Sequence, residues 1–125
     1  MGQVLQVLPR GTMTVCVAFD AGGAAGAENE VVVEDLPTGE PVFRASNRDG
    51  GNGREAKVWQ AVNDTDQPKT YRIEARHKDG RLDPADPWVS CPDKLLFASP
   101  VARVIGYEGG RNEDAAGALA TVVWH

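Results

Sequence analysis

Thr12-Met13-Thr14-Val15-Cys16-Val17-Ala18-Phe19 alternates without interruption. Met13, Val15, Val17 and Phe19 fall on one side of an extended chain and Thr12, Thr14, Cys16 and Ala18 on the other, the period of two that marks a strand with one face in a core. Upstream, residues 3–8 form a second strand, closed by Pro9. Downstream, the glycine- and alanine-rich residues 20–27 have no side chains suited to a core and read as a turn. Residues 30–34 then carry Val31, Val32 and Val33. After Pro37-Thr38-Gly39 comes a strand over 41–43, and after the loop 47–53 another over 56–62. Residues 69–77 set Tyr71, Ile73 and Ala75 against Arg72, Glu74 and Arg76, a strand with one wet face. Lys78-Asp79-Gly80 turns the chain, and the proline-broken residues 81–87 read as loop. Short strands at 88–90 and 95–98 flank Pro92-Asp93, and strands at 102–107 and 118–124 close the chain. No window shows a helical period and no repeat is visible. The predicted fold is all-β, an antiparallel β-sandwich of about nine strands, with residues 1–125 forming a single domain.

Composition supports this reading and removes several functions. Fourteen glycines and eight prolines in 125 residues suit short strands joined by tight turns. Thirteen Lys and Arg against eighteen Asp and Glu leave a net charge of −5, which repels phosphate backbones and anionic lipid, so neither nucleic acid nor a membrane is an expected partner. No apolar run approaches the roughly 20 residues that span a bilayer, and residues 1–9 lack both a basic region and a long apolar core. The expected location is cytoplasmic, or exported without a classical signal peptide. Cys16 and Cys91 lie 75 positions apart, a spacing that fits no metal knuckle and no redox pair. One disulfide and two thiols both remain open; thiols are favoured because nothing marks an oxidising compartment.

The last 25 residues run strand, acidic glycine-rich loop, strand. Glu108-Gly-Gly-Arg-Asn112-Glu113-Asp114-Ala-Ala-Gly117 is followed by Ala118-Leu-Ala-Thr-Val-Val-Trp124. This end resembles that of the two-calcium fucose- and mannose-binding bacterial lectins, where a loop of the type Glu-Asp-Gly-x-Asp-x-Asp-Tyr-Asn-Asp precedes a strand ending in Trp. Glu108, Gly110, Asp114, Ala118 and Trp124 stand at matching positions. Leu8-Pro9, Thr12 and Ala18-Phe19 match the family's N-terminal spacing, so the resemblance covers nearly the whole chain. It implies a calcium-dependent bacterial lectin-like sandwich, a non-enzymatic carbohydrate-binding function, fucose- or mannose-type ligands, and a homodimer or homotetramer.

Calcium takes six to eight hard oxygen ligands, and alternating carboxylates in a flexible loop can wrap two ions. The departures from the family fall on those ligands. By the resemblance, Asn112 stands for an Asp, Ala116 for an Asn and Gly117 for the last Asp, while Ala21 replaces a calcium-binding Asn beside Asp20. Gly109 and Ala115 also depart from the loop pattern. Glu108, Asn112, Glu113 and Asp114 remain as metal-ligand candidates. Asp20, Gly22, Gly23 and Asp114 are the carbohydrate-binding candidates. Each lost carboxylate removes countercharge, so at most one weakly held calcium ion is expected, and calcium-dependent sugar binding is weakened or lost. The alternative reading is a calcium-free structural or protein-interaction domain on the lectin scaffold.

Other candidates have ordinary explanations. His77 and His125 lack partners at metal-ligand spacing and read as solvated strand-end histidines. No catalytic motif occurs, and Asp83 and Asp86 lie in a proline loop. Trp59 and Trp88 could stack on sugar rings if exposed, whereas Trp124 is assigned to packing. Asn63-Asp64-Thr65 fits a glycosylation acceptor but reads as a turn, and Asp49-Gly-Gly-Asn52 is only half of an ion-binding loop.

Overall fold

The computed structural model describes residues 2–19, 27–47, 56–79, 88–108 and 116–125. Among them are ten strands and no helix: β1 (Gln3–Val7), β2 (Thr12–Phe19), β3 (Ala27–Asp35), β4 (Pro41–Ser46), β5 (Lys57–Val62), β6 (Lys69–Asp79), β7 (Val89–Ser90), β8 (Asp93–Ala98), β9 (Ala102–Glu108) and β10 (Ala116–Trp124). All pairings are antiparallel. One sheet runs β1-β6-β3-β4, with β7 also on β6, and the other runs β5-β2-β10-β9-β8. The antiparallel sandwich read from the alternation is thus the fold, with ten strands rather than about nine.

On β2 and β6 the inner faces are those the sequence marks. Met13, Val15, Val17 and Phe19 of β2 meet Leu5, Val7, Val31, Val33, Tyr71 and Ile73 of the facing sheet in one buried cluster, which also holds Ile105, Tyr107, Ala118, Ala120 and Val122. Burying each Val, Leu or Ile contributes about 1.5–3 kcal/mol. Trp59 of β5 packs against this cluster, partly buried, stacked on Phe43 at 6.1 Å and edge-on to Tyr71 at 5.3 Å. Cys16 and Cys91 are both free thiols, Cys91 being buried.

Several boundaries differ from the sequence reading: β4 runs to Ser46 rather than to 43, β6 to Asp79 rather than to 77, and β10 begins at Ala116 rather than at 118. Strand β3 begins at Ala27, three residues before the start read at Glu30, because its polar start pairs with β6: Glu28 lies opposite Lys78, Glu30 opposite Arg76 and, further on, Glu34 opposite Arg72. Cross-strand opposite charges of this kind extend a strand that hydrophobicity alone ends early. Strand β8 begins at Asp93, whose carboxylate accepts a 2.9 Å hydrogen bond from the Gln3 amide of the other sheet.

The two ends of the sandwich are unlike. At one end lie short turns: residues 8–11, 36–40, 63–68 and 99–101. Arg10 there has a left-handed backbone (φ 66°) and holds the neighbouring turn through Asp64 O at 2.7 Å and the Asp66 carboxylate at 2.8 Å. At the other end the strands run into the four connections 20–26, 48–55, 80–87 and 109–115, which lie outside the described residues.

The short-turn end is organised by Asn63, which is 1% exposed. Its Nδ2 donates to the carbonyls of Val7 (3.0 Å), Leu8 (3.3 Å) and Gln67 (2.7 Å), and its Oδ1 accepts from the Thr65 amide (3.0 Å) and hydroxyl (2.6 Å). An amide enclosed this way is a turn-former, as the sequence suggests, and not an accessible glycosylation acceptor in the folded chain. Asn63→Ala strips buried carbonyls of their donor and should lower the unfolding free energy by roughly 2–4 kcal/mol in urea titration; a loss below about 1 kcal/mol would show the hub to be dispensable.

Burial pushes the Cys91 thiol up to about 11 from its ordinary 9.0. The unfolded chain releases this proton near 9.0 and the folded chain only near 11, so this contribution to stability is lost as pH rises through that window. Urea midpoints should therefore fall between about pH 8 and about pH 10.5, and the fall should be smaller in Cys91→Ala. An identical fall in wild type and variant would assign it to other groups.

Candidate functional site

Long connections gathered at one end of a rigid sandwich are the usual place for a binding site. Here the register of the second sheet decides which connections are neighbours. Phe19, Ala118 and Tyr107 lie side by side on β2, β10 and β9. The residues that follow Phe19 and those between Glu108 and Ala116 therefore leave from three adjacent strands. These are the two segments the sequence singles out for metal and sugar.

Glu108 is the last residue of β9 and pairs with Ala116. Asp20, Gly22, Gly23, Asn112, Glu113 and Asp114 lie outside the described residues, as do Ala21, Asp49, Asn52, Asp83 and Asp86. Besides Glu108, two positions where the resemblance implies ligands are described. Ala116 and Gly117 both belong to β10, and Gly117 is buried at a register shift between Ala116 and Ala118. Neither carries a side-chain oxygen, so the ligand set at this end of the loop does not fit a pair of calcium ions. Among the described residues, no three His, Cys, Asp or Glu side chains gather closely enough to hold a metal.

The described rim of this end contains polar groups that the sequence reading passes over. The Tyr107 hydroxyl is buried without a hydrogen-bond partner, and burial, followed by the nearby charges of Asp93, Glu74 and Cys91, raises its pKa above the ordinary tyrosine value. Asn29 Oδ1 is also buried and unpartnered, although the Asn29 amide N–H donates to Asn47 Oδ1 at 3.1 Å. Both residues sit in runs that read simply as strand, and only the packing around them shows that a polar atom has been enclosed. Glu30, 6% exposed, faces Arg44 at 3.5 Å and Arg76 at 3.3 Å, which keeps a buried carboxylate compensated.

His77 is not a solvated strand end. It is half-buried, with Nδ1 3.3 Å from Cys91 Sγ, because β7 and the residue after it fold back onto β6 and bring Cys91 beside it. His125 is exposed, but Nε2 lies 2.9 Å from Thr14 Oγ1 and its backbone pairs with Thr12. Trp88 carries Arg76 and Lys78 over its ring at 4.7 and 5.0 Å. Trp59 and Trp124 are both partly buried and pack against the core, Trp124 as expected, its indole donating to Gln6 O at 2.8 Å.

No family model matches the chain, and no curated protein matches it in sequence. Solved structures do. The Chromobacterium violaceum lectin CV2L, in complex with α-methyl-fucoside, superposes with a TM-score of 0.61 at 15% identity, covering 100% of this chain and 97% of that one. The Ralstonia solanacearum high-affinity mannose-binding lectin gives 0.58 at 11% identity over 98% and 95%. The C-terminal domain of the BC2L-C lectin from Burkholderia cenocepacia gives 0.55 at 10% identity over 100% and 97%. The chain thus carries, along its whole length, the β-sandwich fold of these bacterial lectins.

Proposed function

We propose that this protein is a non-enzymatic, lectin-like carbohydrate-binding domain whose site lies at the end with the long connections, and whose calcium-dependent sugar binding is weakened or lost. The observation that carries this reading is the register of β2, β10 and β9, which launches residues 20–26 and 109–115 from adjacent strands of a lectin fold. Sugar hydroxyls complete calcium shells in such a site, so affinity falls with the metal. With Ala116 and Gly117 at ligand positions, Glu108, Asn112, Glu113 and Asp114 are left to hold at most one weak ion. Asp20, Gly22, Gly23 and Asp114 would then meet the sugar mainly through hydrogen bonds worth about 1 kcal/mol each.

Calorimetric titration should show no tightly bound pair of calcium ions, and fucose and mannose should bind with millimolar dissociation constants or weaker, on the order of 4 kcal/mol. The variant combining Ala21→Asn, Asn112→Asp, Ala116→Asn and Gly117→Asp should gain a melting temperature that rises with calcium. A strong, chelator-sensitive fucose or mannose signal from the unaltered chain on a glycan array would overturn the proposal.

A second reading, a calcium-free interaction domain, is favoured by the outer face of the β5-β2-β10-β9-β8 sheet. Val58 and Val62 of β5, Leu119 and Val123 of β10 and Leu96 of β8 are exposed there, and Leu96 lies over Gly106, where an added Cβ would meet its Cδ1 at 3.2 Å. A largely apolar sheet face of this kind, with Lys94 of β8 as a charged side chain at its edge, suits a second copy of the chain, as a homodimer or homotetramer. Light scattering should show a mass above the monomer, and Leu119→Lys, at an exposed position, should reduce it without changing the circular dichroism. A monomer at high concentration would remove this reading.

A further inference from the structure

At the short-turn end, opposite the proposed sugar site, a cleft of about 510 Å³ opens between β1, the turn joining β8 to β9 and the end of β10. That volume lies within the usual range for small-molecule sites. We propose that this cleft binds a small organic carboxylate with an apolar body, Arg103 anchoring the carboxylate and Val4, Leu8 and Pro100 forming the wall for the body.

Arg103 is held on two sides. Its guanidinium lies over the Trp124 ring at 5.4 Å, and Nη1 donates to Val4 O at 3.1 Å. The remaining edge, Nε and Nη2, makes no hydrogen bond to any described residue, and no described carboxylate lies within ion-pair distance. Arg10, Arg44 and Arg76, by contrast, each meet a carboxylate. The Nε–Nη2 edge of a guanidinium matches the two oxygens of a carboxylate, and an arginine already fixed by stacking loses little freedom in binding one. Thr12 and His125 line the same cleft and are tied to each other through paired backbone hydrogen bonds of 2.9 Å.

The wall argues for an apolar body. Val4 is 52% exposed and Leu8 62%, so hydrocarbon stands open beside the unpaired cation. A chain with net charge −5 has no general attraction for anions, so capture of one here depends on the local guanidinium. The site uses no residue of the proposed calcium or sugar site, and its failure would leave that proposal untouched.

The test is a nitrogen-15 amide NMR titration of the full chain with hexanoate, acetate and hexanamide. Hexanoate should shift amides around residues 4, 8, 12, 103 and 124, and should bind on the order of tenfold more tightly than acetate, which lacks the body, and than hexanamide, which lacks the charge. Arg103→Gln should weaken hexanoate about tenfold. Leu8→Asp, at an exposed position that leaves the fold intact, should weaken it similarly by setting a carboxylate against the ligand. Equal binding of hexanoate and hexanamide, equal binding of hexanoate and acetate, shifts located elsewhere, or an undiminished affinity in Leu8→Asp would each overturn the assignment.

Discussion

The structure rests on a size match across the centre of one sheet. On the inner face of β10, Ala118 stands between Phe19 and Tyr107, and Ala120 between Val17 and Ile105. Each small side chain leaves room for two large ones. A one-residue slip of β10 would turn Leu119 and Thr121 inward and put bulk and a hydroxyl where the alanines are. The register of three strands is thereby fixed, and with it the place from which the two candidate binding segments depart.

The two outer faces show different solutions to the same exposure. On the β3–β6 pair, acids stand opposite bases, and Glu30 is buried between Arg44 and Arg76, so the face is closed by long charged side chains. The outer face of the other sheet has valines, leucines and threonines and little charge, and its edge strand β8 leaves Leu95, Leu96 and Phe97 exposed. Neither arrangement follows from the core. They set what the molecule can meet, whereas the core sets only its shape.

Likeness in shape to these bacterial lectins comes with 10–15% identity, which conveys architecture and not ligand. In this chain strand β10 begins at Ala116 and already includes Gly117, so chain that the resemblance assigns to ion coordination is spent on sheet pairing and a buried glycine. Conversely, enclosed polar atoms such as Tyr107 Oη and Asn29 Oδ1 lie in ordinary strand sequence.

The all-β class, the inward residues of β2 and β6 and the turn at Asn63 are legible in the sequence, because each depends on a period of two or on local turn chemistry; that Cys16 and Cys91 are free thiols is settled only by the fold. Trp124 reads as a packing residue because most tryptophans of a small sandwich bury their rings. What depends on distant segments meeting emerges only from the packed chain. Asn63 reaches Val7 across 56 positions, Gln3 reaches Asp93 across 90, and Arg103 reaches Val4 across 99. His77 lies against Cys91 only because β7 folds back onto β6. The polar start of β3 is strand only because β6 offers the opposite charges. Alternation records which way a side chain points, not which side chain from the far end of the chain will be there to meet it.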